Sequence, residues 1–167
     1  MLVDASPLIY LAKIDALDVF ASSGHVPLIT PEVERETARP GLAYEYPASL
    51  VIADALDSGL LSRTQLTEPE MKLAERLSRE AGGIDLGESE VLAAAAARHE
   101  PALLFERRAT ALARSMGVDA WSPARLLFAG TPDSSLLRDR IRGFASLVQM
   151  RYEDVQKLIA VTEESDR

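Results

Sequence analysis

The 167-residue sequence predicts a three-layer α/β/α sandwich around a parallel sheet, followed by a C-terminal helical extension. Three observations predict it. Short apolar runs alternate with amphipathic stretches in the order strand, helix, strand, helix, as a parallel sheet with crossover helices requires. The turns between them span only a few residues, which suits right-handed crossovers. The first apolar run, Leu2-Val3, stops at an acid, Asp4, at the carboxyl end of a strand, where open α/β sheets keep their ligands.

The elements follow in order. After the first strand, the apolar residues from Pro7 to Ala21 read as one or two short helices, with Asp15 as a restart point. Ser6, or Asp4 itself, is placed to cap the first helix with Pro7 at its first position. Ser22-Ser23-Gly24 turns into the strand VPLIT, and Pro31 opens the helix PEVERETA. Residues 39–46 read as a loop, 47–58 as an amphipathic helix, and LLSRTQL as an edge strand. A helix from Thr67 or Glu68 to Ala81 begins with acids and ends before Gly82-Gly83, as dipole and C-cap rules ask. Leu86 begins an alanine-rich helix, LGESEVLAAAAARH, fit for close packing on a sheet. ALLF is a buried strand, ERRATALARSMG a helix, VDAW a strand ending in a core Trp121, and SPARLLFAG a helix with a Ser-Pro cap. Beyond Gly130 two helical stretches, 134–148 and 152–161, carry no strand signal, so the expected division is a domain over 1–130 and a helical extension over 131–167.

Composition narrows the function. A hydrophobic content of 47% with 26% charged residues is that of an ordinary soluble domain. With no cysteine and two histidines, disulfides and thiolate zinc sites are excluded, and any metal must be held by oxygen. The start has no basic segment ahead of its apolar run and no stretch reaches membrane-spanning length, so a cytoplasmic protein with no membrane partner is expected. The net charge of −8 opposes general nucleic-acid affinity, but it is unevenly spread. Residues 1–60 carry 3 basic and 9 acidic side chains, whereas 101–151 carry 8 arginines against 4 acids.

Four acids have unusual settings: Asp4 ends the first strand, Glu36 lies in the helix after the second, Glu88 opens the alanine-rich helix, and Glu106 ends ALLF. Brought to one edge they would raise one another's pKa values unless a cation neutralised them, and an oxygen-only set points to Mg²⁺ or Mn²⁺. Such ions activate water and stabilise phosphoryl charge, which implies phosphodiester hydrolysis. Each acid also has a plainer use. Glu88 suits a helix first turn, Glu106 can cap its helix, Glu36 shares its helix with Glu32 and Glu34 so that a solvated face would explain it, and Asp85 and Glu90 are neighbouring acids of the same type. Arg107 and Arg114, seven apart on one helix face next to Glu106, are the nearest source of phosphate contacts, with Arg108 pointing elsewhere.

The segments VDASPLIYLAKIDALDVF, PEVERETA, LGESEVLAAAAA and LLFERRATALARSMGV, in that order and spacing over residues 1–130, resemble the PIN-domain family, in its group of predicted nucleic-acid-binding proteins related to VapC-type toxins. The resemblance implies a parallel α/β sandwich, an acid cluster binding Mg²⁺ or Mn²⁺, and cleavage of single-stranded RNA, often as the toxin partnered by an antitoxin protein. A homo-oligomer is the expected assembly. Carried over residue by residue, the first acid is Asp4, the second Glu36 and the third Glu88. In the favoured reading Ser6 orients Asp4 or a ligand water. The chain departs at the fourth position. Relatives commonly place two consecutive aspartates after the strand; here stand Phe105 and Glu106, and only Glu106 can serve. The family's glycine-threonine chemistry after the next strand is also replaced, by VDAWSPARLL. A catalytically impaired interaction or regulatory module of the same fold is therefore the alternative. A phospho-receiver domain is disfavoured because its acid pair and partner lysine are missing.

Overall fold

The computed structural model describes residues 1–38 and 47–164. The loop expected over 39–46 lies outside the described residues. From the start, β1 (Leu2–Val3) leads into α1 (Ala5–Lys13) and α2 (Val19–Ser23), and β2 (Leu28–Ile29) leads into α3 (Pro31–Thr37) and α4 (Ala48–Asp57). Then come β3 (Ser62–Arg63), α5 (Glu68–Glu80), α6 (Leu86–Arg98), β4 (Ala102–Leu103), α7 (Arg107–Ser115), β5 (Ala120–Trp121) and α8 (Pro123–Gly130). Two further helices, α9 (Ser134–Leu147) and α10 (Tyr152–Glu164), end the described chain.

The strands form one parallel sheet in the order β3-β2-β1-β4-β5. Regular ladder covers only two residues of each run, so VPLIT, LLSRTQL and ALLF leave the sheet sooner than their apolar lengths predict. The central strand β1 is held on both sides, by Leu2 opposite Leu28 of β2 and Ala102 of β4. The pairing of β1 with β4 is carried past its end by the Asp4 N–H, which donates to Leu103 O at 3.1 Å. LLSRTQL does lie at a sheet edge, as β3.

Chain direction turns on β1. From it the chain moves outward to β2 and β3 on one side, and later to β4 and β5 on the other. Right-handed crossovers then put α1 to α4 on one face and α5 to α7 on the opposite face. The packing agrees: α1, α3 and α4 touch one another, α5 lies against α6, and α6 crosses β1 and β4. The boundary between β1 and β4 is therefore the topological switch point, and a crevice opens beyond their carboxyl ends.

The core is continuous through both layers, with Leu2, Leu8, Leu11, Phe20, Ile29, Leu92, Leu103 and Leu126 fully buried. In α6 the alanine run buries Ala93, Ala94 and Ala95 completely, as its composition predicts. Residues beyond 130 also join this core. Helix α9 packs on α8 and α1, burying Leu137, Ile141 and Phe144. Its Arg140 is buried as well, donating to Thr131 Oγ1 at 3.0 Å, to Asp15 O at 3.3 Å and to the Asp18 carboxylate. Two local expectations are corrected. The first helix starts at Ala5, so Ser6 and Pro7 lie inside its first turn and Ser6 is not its cap. Trp121 is half-buried rather than core, with its Nε1–H on Asp119 at 2.8 Å and the Arg125 guanidinium 3.9 Å above its ring. Among the described residues no helix is long and apolar enough to cross a membrane.

Candidate active site

Beyond β1 and β4 lies an open cavity of about 550 Å³ lined by Asp4, Ser6, Glu36, Asp85, Glu88, Glu106 and Arg108 together with Ala5, Gly83 and Ile84. All four acids singled out in the sequence line it, with Ser6 beside them. Each arrives by a different route. Asp4 is carried to the switch point by β1 and sits at the N-cap position of α1, yet its side chain makes no capping bond there. Glu106 occupies the same position after β4, at the start of α7. Glu88 lies in the first turn of α6, where it forms a capping box with Asp85. The Glu88 N–H donates to Asp85 Oδ1 at 2.8 Å, and the Asp85 N–H to Glu88 Oε2 at 3.3 Å. The plainer role of Glu88 is thus real, and it fixes the carboxylate on the cavity wall.

Helix α3 sorts three glutamates that the sequence could not rank. Glu32 is ion-paired with Arg35, and Glu34 with Arg63 at 2.8 Å, whereas Glu36 faces the cavity. Glu90 is also accounted for: it accepts the Glu32 N–H at 2.9 Å, tying the start of α3 to α6. Asp85, by contrast, lines the cavity and joins the candidate set. Among the described residues none of the five cavity acids forms an ion pair.

Their electrostatics follow from that isolation. Asp4, 4% exposed, is pushed up to about 7 from 3.8, first by burial and then by the charges of Glu88, Asp85 and Glu36, while an Ala5 backbone bond pulls the other way. Glu36 is pushed up to about 7 by burial, then by Asp85, Glu32 and Glu90. Glu88 is raised by burial and by Asp85 and Glu106, against the pull of its capping bond. Among the described residues, Arg35 draws Glu36 the other way and Arg108 lines the cavity.

The donor set suits a hard divalent cation in kind, being oxygen throughout. A cradle exists at Gly87, where a Cβ would lie 3.3 and 3.4 Å from the two Glu36 oxygens and 3.5 Å from Asp85 Oδ1. Any larger residue would crowd this space. The set is open, however. Among the described residues no three acidic or imidazole side chains stand close enough to hold one ion.

The arginines fall differently from the sequence expectation. Arg114 lines a second cavity of about 780 Å³ with Phe105, Trp121, Arg125 and Lys157, and Arg107 lines neither. Arg108, read as pointing elsewhere, is the one at the acidic cavity. Seven-residue spacing shows that two side chains share a helix face, not which face meets the site. A usable signal was the glycine pair at 82–83, since a bare loop lets a long side chain from another element lie over it.

Phe105, the departure at the fourth position, packs edge-on against Tyr10 of α1 at 5.1 Å and Phe144 of α9 at 6.1 Å. Phe105 thus joins the end of β4 to α1 and α9. A family model described as a PIN domain matches residues 1–134. No curated protein and no solved structure matches the chain.

Proposed function

The chain belongs to the PIN-domain family, a nuclease-type family, and on that premise we propose that it is a metal-dependent ribonuclease hydrolysing phosphodiester bonds of single-stranded RNA. In this reading Asp4, Glu36, Glu88 and Glu106 hold Mg²⁺ or Mn²⁺, with Asp85 adding negative charge beside them. The observation that carries it is Asp4, a carboxylate 4% exposed at the switch point, sharing the cavity with four more carboxylates and forming no ion pair among the described residues. When bound, the ion would supply water activation and charge stabilisation at the phosphoryl group.

The chain's own residues supply position and charge. Strand β1 fixes Asp4, the capping box fixes Glu88, and Glu36 and Glu106 reach in on longer, freer arms. Closing this open set onto one ion takes rotamer changes of the glutamates. Ser6, in the first turn of α1, presents a hydroxyl that can orient a carboxylate or a water. Arg114 and Arg107 would serve substrate only outside the acidic cavity. As the toxin of a toxin-antitoxin pair, the protein would arrest growth when expressed without its antitoxin, and Asp4→Asn would not.

Cleavage of single-stranded RNA with Mn²⁺ or Mg²⁺, compared with Asp4→Asn and Glu88→Gln, tests the reading. Gln at 88 keeps the capping acceptor while removing the charge. Activity lost in both variants and in chelator is expected; activity surviving both substitutions overturns it. The impaired-module reading draws support from Phe105, which fills the fourth acid's place with packing. It predicts a well-folded protein with neither cleavage nor metal-dependent stabilisation.

A further inference from the structure

A carboxylate-lined cavity repels the phosphodiester it is meant to receive, so something at its rim must offset that charge. Among the described residues Arg108 is the cation that lines it. Its Nη1 donates to Gly82 O at 3.2 Å, which holds the side chain of α7 across to the loop before α6. The guanidinium lies directly over Gly83. A Cβ there would come within 2.0 Å of Nη1 and 3.1 Å of Cζ, so this position of the arginine requires a residue without a side chain. Gly83 also has φ +83°, a conformation glycine adopts freely. Although Arg108 stands beside five carboxylates, it forms an ion pair with none of them among the described residues. Among the described residues only Nη1 is engaged, which leaves the other N–H groups of the planar fork for an anion.

We propose that Arg108 is the phosphate-holding residue of this site: pinned over Gly83 by the Gly82 carbonyl, its guanidinium takes a non-bridging oxygen of the phosphodiester as single-stranded RNA enters among the carboxylates. The inference rests on the nuclease reading above and adds the residue that holds the substrate. Arg107 and Arg114 differ from Arg108 in facing away from the acids, so charge alone does not select it.

The test is equilibrium binding of a fluorescein-labelled single-stranded RNA in Mn²⁺, followed by anisotropy over a salt series, with kcat and KM from gel cleavage. Arg108→Gln is expected to weaken binding about tenfold or more, since hydrogen bonds to charged groups are the strong ones. Its log-log salt slope should fall by about 0.7, the value for one lost phosphate contact on a single strand. Arg108→Lys should recover part of the affinity, keeping charge but not the fork. Gly83→Ala should move toward Arg108→Gln by displacing the guanidinium, with thermal melting verifying that it folds. Arg76→Gln, an exposed charge control on α5, should change neither quantity. Unchanged affinity and slope in Arg108→Gln, with wild type binding, overturn this inference alone. Tighter binding in Arg108→Gln also overturns it, because the guanidinium would then be blocking the cavity. Wild type that binds no RNA in Mn²⁺ overturns both this inference and the nuclease reading.

Discussion

Two buried carboxylates in this molecule are treated in opposite ways. Glu70, 3% exposed on α5, receives both arms of the Arg98 guanidinium, at 2.7 and 2.9 Å, and the same arginine reaches Thr64 Oγ1 and Gln65 O. That partner holds Glu70 down at about 2. Asp4, 4% exposed at the end of β1, is pushed up to about 7, first by burial without a cationic partner and then by the carboxylates beside it. Solvent exposure is equal, so by itself it does not separate a structural acid from a functional one. The partner does: Glu70 is satisfied within the fold and ties α5 to α6, while the cluster at Asp4 is left for a charge from outside.

The sharpest way to break this comparison is Arg98→Met. It strands the Glu70 carboxylate without its counter-charge and should cost about 4 kcal/mol, seen as a lower urea midpoint at pH 7. A loss below about 1 kcal/mol would mean the pair contributes little beyond packing.

Adding cation should affect only the other acid. Mn²⁺ at a hundred times its dissociation constant should stabilise the wild type by about 2.7 kcal/mol, and Asp4→Asn much less. The gain should grow as pH rises through 7, as protons leave Asp4 and Glu36. Calorimetry across pH 5 to 8 checks this, and a metal shift identical in both proteins would remove Asp4 from the ligand set.

Without metal the two acids should tilt stability in opposite directions. Between about 2 and 4.5 the unfolded chain binds more protons at Glu70 than the fold does, so its contribution is complete above that window and fades as pH falls through it. Asp4 behaves in reverse, because the fold binds its proton more tightly. Stability therefore falls as pH rises from 3.8 to about 7. Asp4→Asn should consequently be the more stable protein in chelator at pH 8, by about 2 kcal/mol, with the advantage vanishing toward pH 4. An Asp4→Asn protein less stable than wild type at pH 8 would show that the carboxylate is satisfied after all.

The smallest effect belongs to Phe105, beside Glu106 at the end of β4. Phe105→Leu removes two edge-to-face contacts and should cost about 1 kcal/mol, leaving the Mn²⁺ response unchanged. A changed metal response would couple the C-terminal helices to the acidic cavity.

Much of the fold was legible because it is local. The alternation of apolar runs and helices, the acidic first turn of α5, the Ser122-Pro123 start of α8 and the alanine run of α6 are set by neighbours a few residues apart. Strand lengths were read too long, since apolar residues that leave the ladder are buried just as well in the turns that follow. Asp4, Glu36, Glu88 and Glu106 could be named because their local settings and the family resemblance agreed. Asp85, Glu90 and Arg108 could not be ranked, because their roles depend on what faces them from another element.

By itself, then, the sequence determined that the chain makes a parallel α/β domain, that any metal must be held by oxygen, and which acids end its strands. These follow from residue type and short-range spacing. Only the tertiary structure decided that β1 and β4 are neighbours, so that Asp4 and Glu106 share a crevice. It alone separated Glu36 from the arginine-paired Glu32 and Glu34, and laid Arg108 over Gly83. Strand order and helix rotation are fixed by the packing of the whole core, and no window of sequence contains that.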